Sequence, residues 1–90
     1  MARQTGTKIE QLDAEGLICP LPVLRARKRL LALAPGALLE VRATDPAARD
    51  DMPAFCTQTG HELLALRQDG AAWVFLIRRG PRRDADQTPE

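Results

Sequence analysis

The segment Cys19-Pro20-Leu21-Pro22 contains the side chain best suited to chemistry. The φ angle of Pro20 suits the first position of a helix, where its missing N–H leaves no hydrogen bond unmade. We therefore predict a rigid helix start formed by Pro20 and Pro22, with Cys19 at the N-cap. Free N–H groups and the positive end of the helix dipole would then lower the pKa of the thiol. The expected chemistry is nucleophilic attack by an exposed thiolate.

The sequence offers no obvious catalytic partner for this thiol. The single histidine, His61, follows a glycine and is expected at the surface, away from Cys19. The second cysteine, Cys56, follows Phe55 on an apolar helical stripe and is expected to be a core thiol. Two cysteines and one histidine without a Cys-x-x-Cys motif do not indicate a metal site, and no cofactor is required. A lone thiol argues against a hydrolase and favours a nucleophile whose partner chemistry lies on another protein.

Length and charge narrow the class of protein further. The 90 residues allow one small domain, and thirteen basic against twelve acidic residues give a net charge of +1. That balance does not favour a dedicated nucleic-acid binder. No apolar run approaches the ~18 residues that span a bilayer, and the polar N-terminus lacks the core of a secretion signal. We expect a cytoplasmic protein with a single domain over residues 8–80, between a flexible N-terminus (1–7) and a flexible polar tail (81–90).

The spacing of apolar residues predicts the element order βαβαββ, an α/β protein of the α+β two-layer type with both helices on one face of a four-stranded sheet. Asp45-Pro46 is a helix-start signal with an N-cap carboxylate, and Pro53 is tolerated if Asp50 caps a second start. Asp69-Gly70 is a strong hairpin signal. The last strand is apolar on both faces, which indicates a central position. Strands are predicted over 8–13, 37–44, 61–68 and 71–79, and helices over 20–34 and from about Asp50 to Thr59.

Arg27 is unusual because its helical angle places it inside the apolar arc of the first helix. Its stem could pack while its guanidinium reaches water, which the spacing favours. Alternatively it is a cation available to an anionic sulfur or to an acidic partner.

Residues 12–22, Leu-Asp-Ala-Glu-Gly-Leu-Ile-Cys-Pro-Leu-Pro, followed by a basic amphipathic helix, resemble the signature of the TusA (SirA-like) sulfur-carrier family. The resemblance covers about Lys8 to Gly80. Segments that begin at Asp45, Met52, His61 and Leu76 are more similar to the TusA branch than to distant members.

The resemblance implies a mixed sheet with the last strand inside, like the C-terminal domain of the third bacterial translation initiation factor. It also implies that Cys19 carries sulfur as a persulfide and that Arg27 and Lys28 are partner-docking residues. The implied donor is a cysteine desulfurase or another sulfur donor. The implied acceptor is a TusBCD-type or DsrEFH-type protein, in tRNA 2-thiouridine synthesis, sulfur oxidation or molybdenum-cofactor synthesis. We expect a monomer without direct nucleic-acid binding.

Two other functions remain open from the sequence. A thiol redox protein would use Cys19 together with Cys56, which requires the two sulfurs to approach within bonding distance. A non-catalytic RNA-binding or regulatory module is suggested by fold analogy and by the arginines.

Overall fold

The computed structural model describes residues 8–81 and confirms the predicted order of strands and helices. The flexibility expected of residues 1–7, and of the tail after Pro81, concerns segments outside the described residues. The elements are β1 (Ile9–Ala14), α1 (Leu21–Leu31), β2 (Leu38–Ala43), α2 (Ala48–Thr59), β3 (Glu62–Asp69) and β4 (Ala72–Arg78).

The four strands form one mixed sheet in the order β1-β2-β4-β3. β1 and β2 are parallel, whereas β4 is antiparallel to both of its neighbours. The last strand is therefore internal, as its apolar residues on both faces predict. In β2 the predicted alternation is confirmed, because Leu39, Val41 and Ala43 are fully buried while the residues between them are half-buried.

Both helices pack on one face of the sheet and enclose the core. α1 contributes Ala26 and Leu30, and α2 contributes Met52 and Cys56. They cover the inward side chains of the central strands, including Phe75, which is fully buried.

α1 is shorter than predicted, because it ends at Leu31 and not at Ala34. Pro35 disfavours a helical conformation at the residue before it. The chain therefore tightens after Leu31, with the N–H of Leu33 donating to the oxygen of Leu30 at 3.0 Å. The predicted apolar arc is also only partly buried, since Leu24 and Leu31 are 51% and 52% exposed.

The start of α2 also differs from the prediction. The helix is continuous from Ala48, and Pro53 lies inside it. The N-cap residue is Ala47, whose backbone is already helical, and no side chain caps the helix. The expected cap at Asp45 and the second cap at Asp50 are therefore wrong. α2 tolerates Pro53 at the loss of one backbone hydrogen bond.

Gly80 lies so close to the end of α2 that a side chain there would collide with backbone. A Cβ on Gly80 would lie 2.1 Å from the oxygen of Gly60. We expect Gly80→Ala to reduce the free energy of unfolding by about 3 kcal/mol, because backbone must shift. Thermal or urea unfolding measures this loss.

Gly36→Ala is the matched control, since nothing lies within 4 Å of its Cβ position but its φ is +87°. This variant should reduce the free energy of unfolding by only ~1–2 kcal/mol, because an L-residue is strained in the left-handed backbone conformation. Equal losses in both variants would show that the Gly60 contact does not matter.

Candidate active-site thiol

The fold brings two loops together at one edge of the sheet. Because β1 and β2 are parallel, the loops that follow them leave from the same edge. The N–H of Gly16, where the chain turns with φ +83°, donates to Thr44 Oγ1 at 3.0 Å. The first loop, which contains Cys19, is thereby tied to the segment between β2 and α2.

Cys19 is held by two carboxylates that follow β2. Its N–H donates to Asp45 Oδ2 at 2.8 Å, and its Sγ–H donates to Asp51 Oδ2 at 3.2 Å. The thiol itself remains exposed. The backbone contact fixes the position of the loop, and the side-chain contact orients the sulfur.

The thiol sits one residue further from the helix than predicted. α1 begins at Leu21, Pro20 is the N-cap residue, and the Cys19–Pro20 peptide bond is cis. Pro22 is buried within the first turn, in agreement with its expected place at the helix start. The expectation that Cys19 is itself the N-cap is therefore wrong.

The predicted decrease in the Cys19 pKa is also wrong in direction. The pKa of the thiol is raised above its ordinary value, chiefly by its hydrogen bond to Asp51 and further by desolvation and by the charges of Asp51 and Asp45. A carboxylate that accepts the S–H hydrogen bond stabilises the protonated form and repels the thiolate. At neutral pH this environment keeps Cys19 largely as the thiol.

We predict that Asp51→Asn lowers the pKa of Cys19 and accelerates its alkylation at neutral pH. The substitution removes both the hydrogen-bond acceptor charge and the repulsion of the thiolate. The alkylation rate with iodoacetamide, followed against pH, gives the midpoint. An unchanged or higher midpoint would contradict the role given to Asp51.

Asp50→Asn provides the control, because it removes an equal charge from the neighbouring residue. Its carboxylate lies 3.6 Å from the guanidinium of Arg49 and is not among the groups that shift the pKa of the thiol. The alkylation midpoint should remain close to that of the unmodified chain.

Cys56 differs from Cys19 in its accessibility to a partner. It is 2% exposed within the core, as predicted, and burial raises its pKa to about 11. A buried, protonated thiol is a poor nucleophile. His61 follows the C-terminal end of α2, where its Nδ1 accepts the N–H of Gly80 at 2.9 Å and its ring packs on Phe55.

An apolar band on α1 and the loop before it flanks the thiol. Ile18 is 68% exposed, and Leu21, Leu24 and Leu31 are also open to solvent. Arg27 and Lys28 are exposed beside this band, which agrees with the expected path of the Arg27 side chain to water. Exposed apolar side chains next to charges are typical of a protein-binding surface.

A groove between the two helices leads away from the thiol. A cavity of about 290 Å³ beside Cys19 is lined by Pro20 and Asp51. It shares Phe55 and Gln58 with a second cavity of about 370 Å³ that extends to Arg79.

The sequence did not identify Asp51 as a partner of the thiol, and it predicted Asp45 to be the N-cap of a helix. The signal that could have found them is the cluster of aspartates directly after β2. Parallel strands place that segment beside the loop that follows β1. Among residues 8–81, no three His, Cys, Asp or Glu side chains are grouped closely enough to hold a metal ion.

Fold and site together define a small two-layer α+β protein that presents one exposed thiol at the edge of its sheet. None of the helices between residues 8 and 81 is long and apolar enough to cross a membrane.

The family model described as "Sulfurtransferase TusA" matches residues 10–79. The chain is 49% identical over 70 residues to the sulfur carrier protein TusA of Allochromatium vinosum, covering 78% of this chain and 92% of that protein. It is 46% identical over 68 residues to the protein of the same name from Pseudomonas paraeruginosa, covering 76% and 86% of the two chains. The chain therefore belongs to the TusA family.

A solved structure supports the same assignment of the fold. The SirA-like protein from Desulfitobacterium hafniense superposes with a TM-score of 0.70 at 28% identity, covering 81% of this chain and 99% of that chain. The resemblance seen in the motif around Cys19 is thus confirmed at the level of family and fold.

Proposed function

We propose that this chain is a sulfur carrier that takes up sulfane sulfur on Cys19 as a persulfide and passes it to an acceptor protein. The observation that carries the proposal is the exposure of Cys19 in a family whose similar members are named sulfur carriers. The other cysteine, Cys56, is buried in the core, so a donor protein cannot reach it.

The loading step needs only the thiol of Cys19 and a persulfide on the donor protein. The Cys19 sulfur attacks the outer sulfur of a persulfide on the donor protein, and a new S–S bond forms on Cys19. The S–S bond of the donor breaks, and the donor cysteine leaves as a thiolate that takes up a proton. Cys19 then carries the sulfur as Cys19–S–SH, and no net oxidant or reductant is consumed.

Asp51 is placed to govern the proton in this step. Its Oδ2 already accepts the hydrogen bond from Sγ of Cys19, so this oxygen can take up the thiol proton as the sulfur attacks. Before a donor binds, the same carboxylate suppresses the thiolate. This restrains reaction with stray electrophiles, which attack thiolates faster than thiols.

The donor and acceptor are proteins in this proposal. A protein-bound persulfide must be brought against Cys19, and the exposed apolar band beside Arg27 and Lys28 offers the surface for that contact. We propose a cysteine desulfurase as the donor. For the acceptor we propose a TusBCD-type or DsrEFH-type protein, in tRNA thiolation or sulfur oxidation. A reducing compartment such as the cytoplasm belongs to the same proposal, because both cysteines are free thiols.

The test is sulfur loading of the purified full chain. With a cysteine desulfurase and free cysteine, intact-mass analysis should show a gain of one sulfur atom that a reductant removes. A chain that stays unmodified beside a desulfurase active on another carrier would contradict loading from this donor class. Loading from a persulfidated sulfurtransferase would then test the carrier role separately.

A disulfide between the two cysteines is disfavoured as an alternative. Cys56 lies in the core on the buried face of α2, whereas Cys19 is on an exposed loop. A free-thiol titration before and after mild oxidation distinguishes the functions, because a redox pair would lose both thiols together. The RNA-binding alternative is tested by oligoribonucleotide binding at the cavity lined by Arg27 and Arg79.

A further inference from the structure

The larger cavity in the groove between the helices carries two cationic side chains. They are Arg27, which belongs to α1, and Arg79, which is the first residue after β4. No carboxylate lines the cavity among residues 8–81. Its wall is completed by Gln58, Thr59 and the His61 ring, among others.

Arg79 is an unusual residue because its side chain is buried without a full set of partners. It is only 5% exposed, and within residues 8–81 its Nε has no hydrogen-bond acceptor. Its NH1 group donates to the oxygen of Gly80 at 3.0 Å. Burial of a guanidinium N–H without an acceptor is costly, which distinguishes Arg79 from the arginines that are paired with carboxylates.

Several other arginines of the fold are paired with carboxylates. Arg29 pairs with Glu10 at 2.8 Å, and Arg42 contacts both Glu15 and Asp69. In the part of the chain that the structure describes, Arg27 and Arg79 have no acidic partner, although both line the same cavity. The positive charge of this cavity is therefore uncompensated by the described residues.

The Arg79 side chain is also preorganised. Its backbone N–H donates to the oxygen of Ala37, and its backbone oxygen accepts the N–H of Gly36, both at 2.8 Å. With the NH1 contact to Gly80, these bonds hold the base of the side chain and one guanidinium arm in place. Binding of an anion would therefore lose little conformational entropy in ordering this side chain.

We propose that this cavity is a binding site for a small dianionic oxyanion of the phosphate class. Two guanidinium groups on different elements provide a charge of +2, which a dianion balances and a single carboxylate does not. Arginine binds such oxygens through paired N–H groups. The volume of about 370 Å³ equals roughly twelve water volumes of ~30 Å³, enough for a tetrahedral oxyanion with bound water. The inference does not depend on sulfur transfer.

The probe is inorganic phosphate at about pH 8, where it is a dianion, with ionic strength held constant by chloride. NMR of the full chain follows the Arg79 Nε–H and the Gly80 amide. Saturable shifts at both groups are expected. A shift that only follows ionic strength, without saturation, would overturn the site.

Arg27→Gln should weaken phosphate binding about tenfold, the equivalent of one charge-assisted hydrogen bond. Arg27 is exposed, so this variant should fold normally. The control is Arg67→Gln, which removes the same charge from β3, where Arg67 lies 3.8 Å from Glu40. Equal weakening by both variants would mean that only net charge matters, and the site would be rejected.

Two further titrations define the ligand class. Sulfate should compete with phosphate, whereas acetate should bind at least about tenfold more weakly because it leaves one guanidinium unbalanced. Acetate binding as tight as phosphate would overturn the dianion assignment. A single-stranded oligoribonucleotide that binds here when free phosphate does not would show an RNA surface in place of a small-anion site.

Discussion

Cys19→Ser should abolish sulfur loading completely, while Cys56→Ser should load as fully as the unmodified chain. A hydroxyl cannot form the S–S bond of a persulfide, and Cys19 is the cysteine that is exposed to a donor. Intact-mass analysis after incubation with a cysteine desulfurase and cysteine measures both results. The serine at position 56 replaces a buried thiol, so unfolding by urea must show that the variant remains folded.

The same pair of variants decides the location of the site. If folded Cys56→Ser loses the added sulfur while Cys19→Ser retains it, the assignment of Cys19 is wrong. If both variants lose the added sulfur, both cysteines take part in loading, and the proposal of a carrier with a single thiol is wrong.

The element order and the central position of β4 could be predicted because their signals are local. Asp69-Gly70 joins two apolar runs, which specifies a hairpin within a few residues. The apolar run from Ala72 to Ile77 leaves no polar face for solvent, so that strand must lie inside the sheet. Such patterns act at short range and do not depend on distant contacts.

The electrostatics of the thiol could not be predicted in this way. Local rules put Cys19 at the helix N-cap and made Asp45 a cap of α2. Instead Asp45 accepts the N–H of Cys19, from 26 residues away, and Asp51 accepts its S–H. These two carboxylates raise the pKa of the thiol, and α1 begins two residues later, at Leu21. Only the parallel pairing of β1 with β2 brings these groups together.

The same limitation applies to Arg79. The sequence presents it as one of several clustered arginines, but the end of β4 and the backbone near Gly36 bury it at the groove. Burial of a charged side chain depends on neighbouring elements, so composition alone could not distinguish Arg79 from Arg78, which is exposed and paired with Glu62.

Reversal of charge at Arg27 and Lys28 together should slow sulfur loading about tenfold or more. A donor must place its persulfide at Cys19, next to the helix that presents these cations, and complementary charge steers and orients that encounter. Stopped-flow or quenched loading assays with Arg27→Glu/Lys28→Glu measure the rate. Added salt should slow the unmodified chain in the same manner, because exposed charges are screened beyond ~8 Å at physiological ionic strength.

The alkylation rate of Cys19 distinguishes a docking defect from a damaged thiol. Arg27 and Lys28 are exposed and are not among the causes of the raised thiol pKa, so alkylation should stay nearly unchanged in the double variant. Arg82→Glu/Arg83→Glu serves as the control of equal charge, since these residues follow the folded domain in the sequence. It should load close to the rate of the unmodified chain. If the control slows as much as Arg27→Glu/Lys28→Glu, net charge governs the encounter, and α1 provides no specific docking surface.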